Sequence, residues 1–172
     1  MSQNYIIREA TDADYPQILS IYRYYWDEHF KNMSDDYEKV LSYLKEAFDK
    51  RETYFNYWII GNNNDEILGW ASCIPMFLTP LRKGYNGELS IYLRFDKINK
   101  TLGFKLLNEV VKILEKSPLY MLYGHICPNN TISQKMALKV GLKNTEIQFI
   151  NSPFYPEINL WIKPLKGVIE KN

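Results

Sequence analysis

An α/β fold, with helices packed on both faces of a mixed sheet, follows from three features of this sequence. Strand-like and helix-like apolar patterns succeed one another in the order β-α-α-β-β-β-α-β-α-β-β. Two β-rich runs, residues 54–60 and 67–73, flank the turn cluster Gly61-Asn62-Asn63-Asn64-Asp65 and make the clearest hairpin. Residues 88–116 then read as a strand, a basic turn and a helix, and the rest of the chain is arranged around that unit.

The elements can be justified in order. Residues 5–9 alternate as a first strand. Thr11 followed by Asp14 is a loose capping box, and Pro16 is tolerated within the opening turn. Ile18, Leu19, Ile21, Tyr22, Tyr25 and Trp26 recur at helical spacing, which predicts a helix over about 12–28. Ser34 or Asp35 caps a second helix bearing Tyr37, Val40, Leu41, Leu44 and Phe48. After the hairpin, residues 75–86 hold two prolines and one glycine and read as a loop. Leu89, Ile91, Leu93 and Phe95 alternate with Glu88, Ser90, Tyr92 and Arg94, so the central strand has one apolar and one polar face. Leu106, Leu107, Val110, Val111 and Leu114 form the apolar stripe of the next helix, which Pro118 ends. Residues 119–127 are apolar enough for a central strand. Asn130 or Thr131 caps a short helix ending before Gly141, and residues 142–150 and 159–162 supply two last strands. Residues 1–165 form one domain on this reading, with 166–172 as a loose tail.

Composition narrows the function classes. A chain of 172 residues can bury roughly 70% of its unfolded surface. A net charge of +1 lacks the basic excess of a nucleic-acid binder. No apolar run reaches membrane-spanning length, and the first ten residues lack a signal-peptide pattern, so no membrane role and a cytoplasmic location are expected. Cys73, Cys127, His29 and His125 are not spaced as metal ligands, so no metal is expected; the cysteines read as buried thiols, with a disulfide between them as the lesser alternative. His29 reads as a surface residue and His125 as a strand residue with a satisfied ring.

The basic turn is the first hint of chemistry. Arg94, Lys97, Lys100 and Lys105 stand against Asp96 alone, a net +3 over twelve residues. The first N–H groups of a helix lack intrahelical partners, and its dipole adds roughly half a positive charge there. A phosphate or pyrophosphate fits that position. The same stretch reads equally well as an ordinary strand–turn–helix with solvated lysines.

The ordered set of segments carries a resemblance. IIREATDADYPQILSIY opens the chain, EILGWASC lies in the hairpin, ELSIYL in the central strand, and PNNTISQKMALKVGLK follows the next strand. Together they resemble the GNAT acyltransferase superfamily, closest to its phosphinothricin-acetyltransferase-type branch. The resemblance implies the GNAT fold, a mixed, mostly antiparallel sheet of about seven strands. Two departures stand out. The family's pyrophosphate turn, Gln/Arg-x-x-Gly-x-Gly/Ala, falls on Ile98, Asn99, Lys100, Thr101, Leu102 and Gly103, where only the last glycine remains. The tyrosine that many members use as proton donor to the leaving thiolate is replaced by Ala137.

The resemblance implies an acetyl-CoA-dependent N-acetyltransferase in which the amine of a small molecule or amino acid attacks the thioester directly. Acetyl-CoA would lie along Ile91, Tyr92 and Leu93, with its diphosphate at Lys100, Thr101, Leu102, Gly103 and Phe104 and its arm near Asn130. Glu88 matches the glutamate proposed as base in that branch, and Tyr92 on the same face could orient the acceptor. Tyr22, Tyr25 and Trp26 fall on the core stripe, whereas Tyr24 and Glu28, one turn apart, are the candidates to touch an amine acceptor. The family often pairs through its late strands, which allows a homodimer. Two rivals stand beside this reading. One is a GNAT-fold acyl-CoA-binding or regulatory module without turnover. The other is a structural domain that uses its aromatic excess, 15% of residues, as an interface.

Overall fold

The computed structural model describes residues 4–27, 37–76, 85–94, 100–150 and 157–166. Its strands are β1 (Tyr5–Glu9), β2 (Tyr57–Asn62), β3 (Ile67–Pro75), β4 (Asn86–Leu93), β5 (Met121–Ile126), β6 (Lys143–Ile150) and β7 (Glu157–Pro164). They form one seven-stranded sheet in the order β1-β2-β3-β4-β5-β7-β6. β4 and β5 run parallel and every other neighbouring pair antiparallel. The helices are α1 (Tyr15–Tyr25), α2 (Tyr37–Asp49), α3 (Lys100–Glu115) and α4 (Thr131–Lys139). The α/β class, the element order and the mostly antiparallel sheet are those expected.

The alternation along the strands sorts the core into two layers. Trp58, Ile60, Ala71, Cys73, Leu89 and Leu122 face α3 and α4, where Leu106, Val110, Leu114 and Met136 meet them. Tyr57, Ile59 and Trp70 face α1 and α2, where Ile18, Ile21 and Phe48 meet them. Leu106, Val110 and Leu114 are fully buried, each worth roughly 1.5–3 kcal/mol against exposure. Gln17 and Trp70 pin α1 to the hairpin. The Gln17 side chain donates to the Asp65 carbonyl at 3.0 Å and accepts from the Ile67 N–H at 2.9 Å. The Trp70 indole N–H donates to the Ile18 carbonyl at 3.1 Å.

Several boundaries differ from the sequence reading, each for a local reason. α1 is α-helical only to Tyr25, and Glu28 and His29 lie outside the described residues. The first hairpin strand begins at Tyr57 and not at residue 54. Glu52 and Phe55 exchange backbone hydrogen bonds of 2.8 and 2.7 Å, and Asn56 accepts the Tyr57 N–H with its side chain at 2.8 Å, so residues 52–56 are spent on a turn. α3 begins at Lys100, which moves Thr101, Leu102 and Gly103 out of the turn and into the first helical turn. Leu102 is buried one turn before Leu106 and extends the apolar stripe. Residues 95–99, including Lys97, Ile98 and Asn99, lie outside the described residues.

Candidate active site

The parallel pairing of β4 with β5 is short. It runs through Asn86–Met121, Gly87–Leu122 and Glu88–Tyr123. β4 continues to Leu93 and β5 to Ile126, so beyond Glu88 the two strands part and leave a gap in the middle of the sheet. Each strand is held on its outer side, β4 by β3 through Leu93 and β5 by β7 through Ile126. The gap is therefore set by the frame on either side and does not depend on its own edges.

One cavity of about 1320 Å³ runs through this gap. On the α3/α4 side it is walled by Ile91, Leu107, Ser133, Met136 and Ala137. On the α1/α2 side it is walled by Tyr22, Tyr25, Trp26, Trp70 and Tyr92. Glu88, Ser90 and His125 line it between the two.

Glu88 stands at the fork where the strands separate. Its carboxylate Oε1 lies 2.9 Å from Nδ1 of His125. Both side chains are about one quarter exposed, Glu88 at 29% and His125 at 25%, so the pair is sheltered yet reachable from the cavity. A carboxylate only accepts, so Nδ1 carries the hydrogen and Nε2 is the nitrogen left to bind or release a proton. The hydrogen bond that His125 donates to Glu88 raises the His125 pKa above its ordinary value, against the opposing effect of burial. The His125 ring also meets Phe149 edge-on, with centroids 6.1 Å apart.

His125 was expected to be a satisfied strand residue, and it is; its partner, however, is the candidate base. Period two on β5 puts Tyr123 and His125 on one face, and the parallel register brings that face level with Glu88. A lone histidine in an apolar strand was the available signal, but the register that gives it meaning is not written in either strand.

The other candidates fall into three groups. Tyr92 lines the cavity within an aromatic cluster: it stacks on Trp70 at 4.5 Å and meets Tyr22 and Tyr25 edge-on at 5.2 and 5.1 Å. Tyr24 is 45% exposed and borders both the large cavity and a smaller one of about 200 Å³ beside Arg94. Tyr22 and Tyr25, read as core, are half-buried and do both jobs, packing and lining. Burial raises the Tyr22 hydroxyl to about 12 and pushes that of Tyr25 up as well, the latter despite a hydrogen bond with the Leu93 backbone, so both stay neutral at ordinary pH.

Among the expected cofactor residues, Ile91, Tyr92 and Asn130 line the cavity. Asn130 caps α4, its side-chain oxygen accepting the Ser133 N–H at 3.0 Å. Leu93 turns its side chain against Gly103. A Cβ at Gly103 would come within 2.5 Å of Leu93 Cδ1, so the glycine lets the start of α3 press against the end of β4. Leu102 and Gly103 are buried, Phe104 is half-buried and Thr101 is exposed at that helix start. Lys100 opens the helix, and its side chain, like all of Glu28, lies outside the described residues. Ala137 lines the cavity without a hydroxyl. Among the described residues, no three His, Cys, Asp or Glu side chains gather as a metal site, and no helix is long and apolar enough to cross a membrane.

Comparison with known proteins agrees with this geometry. A family model described as "Acetyltransferase (GNAT) domain" matches residues 4–143. No curated protein matches the chain in sequence. Several solved structures share the fold. A protein provisionally described as a phosphinothricin N-acetyltransferase superposes with a TM-score of 0.79 at 20% identity, covering 95% of this chain and 100% of its own. The phosphinothricin acetyltransferase of Sinorhizobium meliloti, determined in complex with acetyl-CoA, gives 0.74 at 17%, covering 93% of this chain and 88% of its own. The ribosomal-protein-alanine N-acetyltransferase of Brucella melitensis gives 0.74 at 20%, covering 92% and 99%. With the family model spanning most of its length, this chain belongs to the GNAT acetyltransferase family.

Proposed function

We propose that this protein is an N-acetyltransferase that moves the acetyl group of acetyl-CoA to a small-molecule amine, with the Glu88–His125 pair taking the amine proton. The observation that carries the reading is the cavity running through the gap between β4 and β5 with that pair at its fork. Acetyl-CoA enters from the α3/α4 side. Its arm lies along Ile91 and Tyr92 as an added strand, with Asn130 beside it and the start of α3, from Lys100 to Phe104, facing the diphosphate. The acceptor enters from the α1/α2 side, and Tyr24 stands at the rim it passes.

An amine reaches the enzyme as an ammonium and cannot attack until it loses a proton. His125 Nε2 accepts that proton, while Glu88 holds Nδ1–H and stabilises the imidazolium that forms. The amine lone pair then attacks the thioester carbonyl carbon. A backbone N–H on the parted strand edge steadies the oxygen. The C–N bond forms, the nitrogen gives up its second proton to water, the C–S bond breaks, and CoA leaves as a thiolate. Ala137 offers that thiolate no proton, so His125 or water returns one.

Two measurements test the reading. Calorimetric titration should show acetyl-CoA binding to the parent and to Glu88→Gln with affinities within about twofold of each other. Thiol release over an amine panel should fall by roughly 10²–10⁴-fold in Glu88→Gln and in His125→Gln. Release at the parent rate in both variants would remove the pair from the mechanism. Binding without turnover of any amine would favour a non-catalytic acyl-CoA-binding module.

A further inference from the structure

We infer that the acceptor is a primary amine carried on an aromatic or aliphatic body that bears no carboxylate or other anionic group. The inference rests on the transferase reading and concerns the acceptor half of the same cavity. That half is built largely from aromatic side chains, among them Tyr22, Tyr25, Trp26, Tyr57, Trp70 and Tyr92. All of these rings but Trp26 are fixed by one another: Tyr57 and Trp70 lie 5.5 Å apart, and Trp70, Tyr22 and Tyr25 all touch Tyr92, while Trp26 packs on Tyr37.

The charge distribution is equally one-sided. Among the described residues lining the cavity there is one carboxylate, Glu88, and no lysine or arginine. The one group there that can become cationic near neutral pH is His125, and Glu88 already holds it at 2.9 Å. Arg94 borders the small cavity beyond Tyr24, but it is ion-paired to Glu66 at 3.3 Å. An amino acid would therefore bring its carboxylate among aromatic faces beside Glu88, with no described cation to receive it. Desolvating an anion without a partner is costly, and the ring faces repel it. An ammonium on an apolar body gains on every count: the rings attract the cation, the body fills an apolar chamber, and Glu88 is of opposite charge.

The test uses the parent protein and matched acceptors that differ only in the carboxylate: 2-phenylethylamine against L-phenylalanine, tryptamine against L-tryptophan, and pentylamine against L-norleucine. The tripeptide Ala-Ala-Ala-amide is added as a peptide acceptor. Thiol release from acetyl-CoA gives kcat/KM for each. The expected result is that each amine exceeds its amino acid by roughly 100-fold or more, as an unpartnered buried charge requires, and that the best amine exceeds the tripeptide. Equal or greater use of the amino acids, or of the tripeptide, would overturn the inference and leave the transferase reading standing. No turnover of any acceptor by acetyl-CoA-bound protein would overturn both.

Discussion

Asp14 shows how much one side chain can settle. Its carboxylate accepts from Arg8 at 2.7 and 2.8 Å and from the Thr11 N–H and hydroxyl at 2.7 and 2.9 Å, joining β1 to the start of α1. Those bonds, Arg8 first, pull its pKa from 3.8 to about 2. A depressed folded pKa means that the stabilisation is present above the unfolded value and lost as pH falls through the folded one. Asp14→Asn should thus cost about 2 kcal/mol at pH 7, and the gap from the parent should close as pH falls from about 4 to about 2. Denaturant melts of both proteins at three pH values check this. The Glu88–His125 pair makes a second claim at this scale. If His125 is the base, kcat should rise with pH through a midpoint above the ordinary histidine value of about 6.5. Glu88→Gln should lower that midpoint, because burial then acts on the ring without a carboxylate to oppose it. An inflection confined to the carboxylate range would make Glu88 the direct base. The Thr11–Asp14 box was legible in the sequence because its partners are three residues apart. The pairing of Glu88 with His125 was not, since it depends on the register of two strands separated by α3.

At the scale of elements, β4 is where small errors would be felt most. Gly87, one residue before Glu88, faces Cys73, Leu119 and Leu122, and an added Cβ would run into the Cys73 Sγ. Cys73 is fully buried, and burial raises its thiol to about 12, so it acts there as volume and not as a nucleophile. Gly87→Ala should therefore destabilise by about 1–3 kcal/mol through overpacking. Cys73→Ala vacates the space, so the double variant should lose clearly less than the sum of the two single ones. Additive losses in denaturant melts would show that the two positions do not share a volume. The same element explains what could be read in advance. The Leu89–Ile91–Leu93 alternation predicted a two-faced strand, and the faces proved to be the α3/α4 core and the cavity wall. Helical recurrence placed α1, α2 and α3, while α4 was placed by its cap and the Gly141 stop, and Asn130 was found at that cap. What failed were ends, as at residues 52–56 and 100–103, where a turn or an approaching strand decided the boundary and periodicity carried no information.

For the whole molecule, the decisive feature is that one sheet serves as two half-sheets. β1 to β4 form a block covered by α1 and α2 on one face and α3 on the other, while β5, β7 and β6 form a second block against α4, and the blocks are joined at three paired positions. No local pattern announces such a fork; it arises where the parallel register stops while both strands continue. A ligand seated in the gap would tie the blocks together and should stabilise both. At acetyl-CoA concentrations about 100 times Kd, the stabilisation should be about 2.7 kcal/mol. Its location matters more than its size. Hydrogen exchange should slow at Ser90 and Ile91, at Gly124 to Ile126, in the first turn of α3 and at the cap of α4. β1, at the far edge of the sheet, and α2, on its other face, should change little. Protection confined to α1 and α2 would place the nucleotide on the aromatic side and reverse the roles given to the two faces. An amine added second should then protect α1 around Tyr22 and Tyr25, which separates the two entrances in a single experiment.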